Sequence, residues 1–394
     1  MIPKKLAIIL LRLLIAIALW SQDGSYDGWI LRLDEQGDVI WEIVAGTPGI
    51  DALRSIAKTG DGGFIAAGHA DTGLLGPSDG WIIKTDRDGR ILWDLRLGGP
   101  GSDAFQTIQP LSDGRFIVAG YRSGGKDRHV DLWLSAVTVD GDLLWERSYG
   151  NWGRDSASEI RVVSDQELLV LGSTESNSAG QSDIWLLRMS SDGRLIRDLR
   201  FDDGAVEYGS RILDSGNAGT LLLGISKNSG ATHPLLIWAD NEGTVTSRKV
   251  LPKDGELTAG LVTGAGDMIL AGFTGDEFKS QADAWIVKLS PRGRKKWERT
   301  LGGSDNDYFF DIEEVSDGGY IAVGATRSKG NGKDDVWIVR LDSRGRIVWD
   351  RVYGGAGVDR AYSVLVTSDR GFVVAGYKKH WRTQPGSITP FYPE

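Results

Sequence analysis

Carboxylates recur in this 394-residue chain at one fixed distance from an Asp-x-Trp marker. The markers end at Trp29, Trp81, Trp133, Trp185, Trp285 and Trp337, and 22 residues after each stands Asp51, Asp103, Asp155, Glu207, Asp307 or Asp359. A blurred copy has Leu235 at the marker and Leu257, beside Glu256, at the acidic position. Carboxylate oxygens grouped in space hold a hard cation such as calcium, or meet a basic partner. An Asp opening a glycine-rich turn also caps that turn by accepting backbone N–H bonds. Nearly every copy carries the acid, whereas one ligand needs only a few. Capping is therefore the first expectation, and a ligand or partner ring formed by these six residues the second.

Other chemistry is sparse. The chain has no cysteine, which excludes disulfides, Cys-ligated zinc and thiol catalysis. His69, His129, His233 and His380 fall in different registers of the repeat, in what read as loops or tail, so they do not predict a zinc site. No G-x-S-x-G, H-E-x-x-H or P-loop occurs. Turns such as Asp86-Arg87-Asp88-Gly89 begin like a calcium loop but lack the later ligands, so they read as hairpin turns.

The elements that position these residues follow from the repeat itself. Most markers are 52 residues apart, and self-similarity at such a period means one supersecondary unit copied around an array. Each copy holds four short runs of β-branched and aromatic residues, such as Trp81 to Thr85, Ile91 to Trp93, Ala104 to Ile108 and Phe116 to Ala119. Asp-Gly and Gly-Gly turns separate them, so they are strands joined by hairpins. The prediction is an all-β, seven-bladed β-propeller with four antiparallel strands per blade. The chain opens with the last two strands of a unit and ends with the first two, so two N-terminal and two C-terminal strands close the ring. Closure removes the free edges that invite aggregation. The acidic position immediately precedes the innermost strand, which predicts carboxylates around one channel mouth.

Further registers have structural readings. A glycine ends the second strand of each unit (Gly68, Gly120, Gly172, Gly224, Gly272, Gly324, Gly376), predicting a thin strand that lets neighbouring blades approach. A second tryptophan (Trp41, Trp93, Trp145, Trp297, Trp349) follows the first by 12 residues and is expected to fill the gap between outer strands. Cations three residues after the marker and acids 13 after it read as solvated strand charges or as pairs. The Leu235 copy loses both charges and both tryptophans together, which points to one local interaction set.

Lys4 and Lys5 precede an apolar run from Leu6 to Trp20, with Ala16-Ile17-Ala18 as a cleavage pattern. Residues 1–18 read as a signal peptide, 23–378 as a single propeller and 379–394 as a C-terminal tail. The run is short for a span, so no transmembrane segment is expected in the mature chain. Net charge is −9, and losing Lys4, Lys5 and Arg12 makes the mature chain more acidic still. Such a balance, without a basic stripe, does not suit nucleic acid. Of the four loop classes, two are tight turns and two are longer. The longer loops share one face, where binding residues are expected.

Units such as Asp335-Val336-Trp337-Ile338-Val339-Arg340-Leu341-Asp342, with Gly345, Trp349, Tyr353-Gly354-Gly355 and Asp359, resemble exported bacterial propellers with quinoprotein-like (PQQ-like) repeats. The resemblance covers roughly Asp23 to Tyr377 and implies export to the periplasm, the cell surface or the medium. Quinone-binding members of the wider class use a calcium site and often adjacent cysteines, so no catalytic or cofactor residue carries over to this chain. The expectation is a monomeric, non-catalytic scaffold that binds a protein or glycan through its long-loop face. The alternative is a periplasmic enzyme, quinone-dependent or carbohydrate-active, with its site at the channel mouth.

Overall fold

In the computed structural model, alternating runs of β-branched and aromatic residues form seven four-stranded antiparallel sheets arranged as a propeller. The structure describes residues 25–71, 77–124, 129–176, 181–201, 204–214, 219–228, 230–275, 282–380 and 389–391. The expected signal peptide lies outside them. Among the described residues no helix is long and apolar enough to cross a membrane.

One blade shows the pattern. Its inner strand is Ala52–Lys58, followed by Phe64–Asp71, Ser78–Thr85 and the outer strand Ile91–Leu97. The closing blade joins the two ends of the chain. Arg360–Val366 and Phe372–His380 pair with Ser25–Leu33 and Val39–Ala45, and Ser25–Leu33 lies along Phe372–His380 over nine residue pairs. The short strand Thr389–Phe391 adds to the outer edge of this blade, opposite Glu42, Ile43 and Val44.

The core is a chain of apolar clusters between neighbouring blades. Trp29, Leu31 and Val374 of the closing blade meet Ile321, Val323 and Ile338 of the Trp337 blade. The second tryptophans fill the outer gaps as expected, each against a turn of the next blade. A side chain at Gly89 would strike the Trp41 ring, and one at Gly345 the Trp297 ring. Both glycines have positive φ (84° and 73°), so the hairpin and the packing select the same residue.

The glycine of the second strand has a different job from the one predicted. Gly68 faces its own inner strand, and a Cβ there would collide with the Ala52 carbonyl oxygen. Gly120, Gly172, Gly272, Gly324 and Gly376 repeat this against Ala104, Ser156, Glu256, Tyr308 and Arg360. The close approach is intramolecular to the blade because the inner strand bulges there. Leu53 pairs with Gly68 and Ser55 with Ala67, leaving Arg54 as an extra residue. All seven inner strands carry this irregularity at the same register.

Candidate functional site in the channel mouth

A β-bulge turns its extra residue out of the normal alternation and re-aims the side chain. Here the seven extra residues are Arg54, Gln106, Ser158, Ser210, Thr258, Phe310 and Tyr362. All seven line one cavity of about 450 Å³ on the axis of the ring. Tyr121, Val130 and Arg154, at strand ends beside the longer loops, line it too, so it opens on the long-loop face. A second chamber of about 580 Å³ continues toward the tight turns, past Lys58 and Pro110. Arg54, Gln106 and Arg211 border both chambers.

The seven residues divide into two walls. On one, the Arg54 guanidinium lies 4.0 Å over the Tyr362 ring, and Tyr362 is 5.2 Å from Phe310. Tyr308, Phe273, Tyr377 and Tyr26 extend this aromatic arc toward the surface. On the other wall hydroxyls stitch adjacent blades. Ser158 Oγ donates to Gly209 O at 2.8 Å, Ser210 Oγ to Leu257 O at 3.0 Å, and Thr258 Oγ1 to Phe309 O at 2.7 Å. Deeper in, Glu159 pairs with Arg211 at 2.9 Å. Burial pushes the Glu159 and Glu313 carboxyls up to about 7 and raises Asp311 as well. Burial, and then the Arg54 charge, hold the His69 imidazole down at about 4.

The six carboxylates expected to encircle the mouth are 0 % exposed, each turned into its own loop. Asp103 accepts from Gly99 N at 2.6 Å and Ser123 N at 2.8 Å, and Asp359 from Gly355 N and Lys379 N at 2.7 Å each. Asp307 takes Gly303 N and the Ser328 hydroxyl, Asp155 the Thr174 and Ser176 hydroxyls, and Asp51 the backbone of Thr47 and Asp71. Glu207 instead meets the Arg248 guanidinium. Each aspartate also faces its marker aspartate across the first loop glycine; at Gly46 any side chain would strike both Asp51 and Asp27. Sealed in this way, the five aspartates work as loop caps, the first of the two expected roles, while Glu207 is the partner of an arginine. Burial drives the Asp51 carboxyl up to about 6 despite its N–H donors.

The histidines are not brought together, and three are on strands (His380 ends Phe372–His380), contrary to their reading as loop or tail residues. His69 lies in Phe64–Asp71 and His233 in Ala231–Ala239, where its Nδ1 is 3.3 Å from Asp254. The apolar alternation of these strands continues past the point where the turn composition suggested an end. Among the described residues no group of three or more His, Asp or Glu is arranged to hold a metal ion. The Asp86 turn is a hairpin, with Asp86 Oδ1 accepting from Asp88 N and Arg90 N at 2.9 and 2.8 Å.

The bulge residues were missed because they lack a common type. Six of them nevertheless recur 25 residues after a marker tryptophan, and Thr258 stands 23 after Leu235, within units that otherwise repeat. Their signal is variation at a fixed register, beside an unvarying glycine.

Fold and cavity together define a seven-bladed propeller with an asymmetric polar channel. No family model matches the sequence. The regulatory protein FlaEY of Caulobacter vibrioides is 24% identical over 181 residues, covering 40% of this chain and 19% of FlaEY. Among solved structures, a puromycin hydrolase mutant aligns with TM-score 0.51 at 14% identity, over 90% of this chain and 57% of that one. The WD40 domain of Neurospora crassa Pan2 aligns with TM-score 0.50 at 9% identity, over 83% of this chain and 89% of that one. At these identities the likeness concerns the fold alone, which hosts both enzymes and binding modules.

Proposed function

We propose that this protein is an exported, monomeric, non-catalytic binding propeller that captures a glycan or protein on its long-loop face and reads it in the channel mouth. The observation that carries this is the ring of seven bulge residues, of six types, around one cavity, on a scaffold whose marker, acid and glycine positions repeat. Repetition serves the fold, whereas a register that runs from Arg54 and Gln106 through three hydroxyls to Phe310 and Tyr362 serves an asymmetric ligand. Pockets of this size with a few convergent polar groups are the usual form of a binding site. The N-terminal signal pattern and the resemblance to exported quinoprotein-like propellers support the location, and the acidic balance speaks against nucleic acid.

The half-buried Glu159 and Asp311 favour one second reading, a channel enzyme, because carboxyls raised above their ordinary values suit general acid–base work. Incubation on glycan and secreted-protein arrays, with mass spectrometry of the supernatant, separates the two. Retention of intact molecules supports the binding reading. Release of cleaved or oxidised product makes the protein an enzyme, and no retention on either array contradicts the proposal.

A further inference from the structure

The geometry points to a carboxylate-binding site in the channel mouth, with the Arg54 guanidinium as its clamp and a uronic acid as the ligand class. This rests on the long-loop face being the binding face.

Arg54 is half-buried, and its Nε has no hydrogen-bond partner. Among the described residues no carboxylate lies within ion-pair distance of it. Burial and the Arg54 charge hold the neighbouring His69 in its neutral form, so it adds no second positive charge beside the guanidinium. The guanidinium carbon lies 4.0 Å over the Tyr362 ring, a cation–π contact that holds the group at the chamber wall and leaves its two Nη atoms for a planar acceptor. Two parallel N–H bonds match the two oxygens of a carboxylate. The other charged residues lining the chamber are Arg154, Arg211 (paired with Glu159) and Glu256, so the mouth is more positive than the acidic surface around it. A cleft of opposite sign concentrates anions.

The opposite wall specifies the rest of the ligand. Ser158, Ser210 and Thr258 have already given their protons to backbone carbonyls of the next blade. What they retain is acceptor capacity, which calls for a ligand rich in hydroxyl donors. Gln106, on the blade beside Arg54, can donate or accept. Phe310, half-buried between Tyr308 and Tyr362, lines the chamber and gives it an apolar contact for the C–H face of a sugar ring. A carboxylate at one corner, hydroxyls around the rim and an apolar face are together the features of a uronic acid.

Titration calorimetry on the purified full chain tests this with sodium D-glucuronate and D-galacturonate. D-Glucose, D-galactose, acetate, inorganic phosphate and a tripeptide ending in Phe serve as comparisons. The expected result is uronate binding at least about tenfold tighter than any comparison, with at least about tenfold lost in Arg54→Gln, the scale of a charge-assisted bidentate contact. Arg54→Lys, which keeps charge and stem but not the planar fork, should also lose affinity with an unchanged unfolding midpoint. No heat with either uronate, equal binding of the neutral sugars, tighter binding of the tripeptide, or full affinity in Arg54→Gln would each overturn the proposal. Array retention that survives in Arg54→Gln would leave the long-loop reading standing without this site. Loss of all retention by the wild type would remove both.

Discussion

Trp337 Nε1 donates to Asp350 Oδ2 at 3.0 Å, joining the marker tryptophan to the acid 13 residues later on the adjacent outer strand. Trp29–Glu42, Trp81–Asp94, Trp185–Asp198 and Trp285–Glu298 repeat the bond at 2.7–3.3 Å. A cation covers several of these indoles, Lys329 at 4.6 Å over Trp337 and Lys378 at 4.5 Å over Trp29. The acids that read as strand charges are thus partners of buried indoles. Asp350→Ala leaves the Trp337 N–H without its acceptor and should cost about 1–3 kcal/mol. A denaturant melt of the variant checks this, and Trp337→Phe in the same background should recover part of the loss.

In the Leu235 blade the indole is gone, and so is its acid. Arg248 occupies that position and pairs with Glu207, the one glutamate among the six acidic positions and 0 % exposed. Two departures from the repeat therefore compensate each other. Arg248→Ala leaves a buried carboxylate without this partner and should destabilise by about 3–5 kcal/mol. Arg248→Ala combined with Glu207→Gln should be milder than Arg248→Ala alone, as denaturant midpoints will show.

Stability should depend on pH with a definite sign. Burial raises Glu159 and Glu313 from 4.5 to about 7 and Asp51 from 3.8 to about 6 in the folded ring. A group that binds its proton more tightly when folded stabilises most below its unfolded value and loses that contribution as pH rises through its folded value. His69, lowered from 6.5 to about 4, acts oppositely but only below about 6.5. The unfolding midpoint should therefore rise as pH falls from 8 to about 6.5, and Glu159→Gln should flatten that slope. A midpoint that falls over this window would contradict the burial of these carboxyls.

Ring closure gives another test. Ser25–Leu33 has Phe372–His380 along one edge and Val39–Ala45 along the other. Ending the chain at Asp359 removes Arg360–Val366, Phe372–His380 and the short Thr389–Phe391, and bares a long apolar edge. Free edges of this kind pair with other chains. Size-exclusion chromatography should show the truncated chain aggregated or oligomeric, while the full chain elutes as a single ring.

The architecture was legible because its determinants repeat. Trp81, Trp93 and the Asp-Gly turns have the same partners in blade after blade, so period and turn chemistry sufficed. The site was legible only as a face. Plain alternation puts Leu53 and Ser55 on one side and Arg54 on the other, and the bulge cancels that rule. Gly68 carried the information, but glycine reads equally as close blade packing, and only the Ala52 carbonyl beneath it decides. The carboxylate position was found and its burial was not, because the loop that wraps Asp103 closes through Gly99 and Ser123, 4 and 20 residues away.

The most direct measurement compares array retention by the wild type with that by Gln106→Trp, which fills the channel mouth, and by Val348→Ser on the exposed outer strand. Binding in the channel mouth predicts that Gln106→Trp abolishes retention with an unchanged unfolding midpoint, while Val348→Ser retains its partner as the wild type does. Undiminished retention by a folded Gln106→Trp would contradict the account and place recognition elsewhere on the ring.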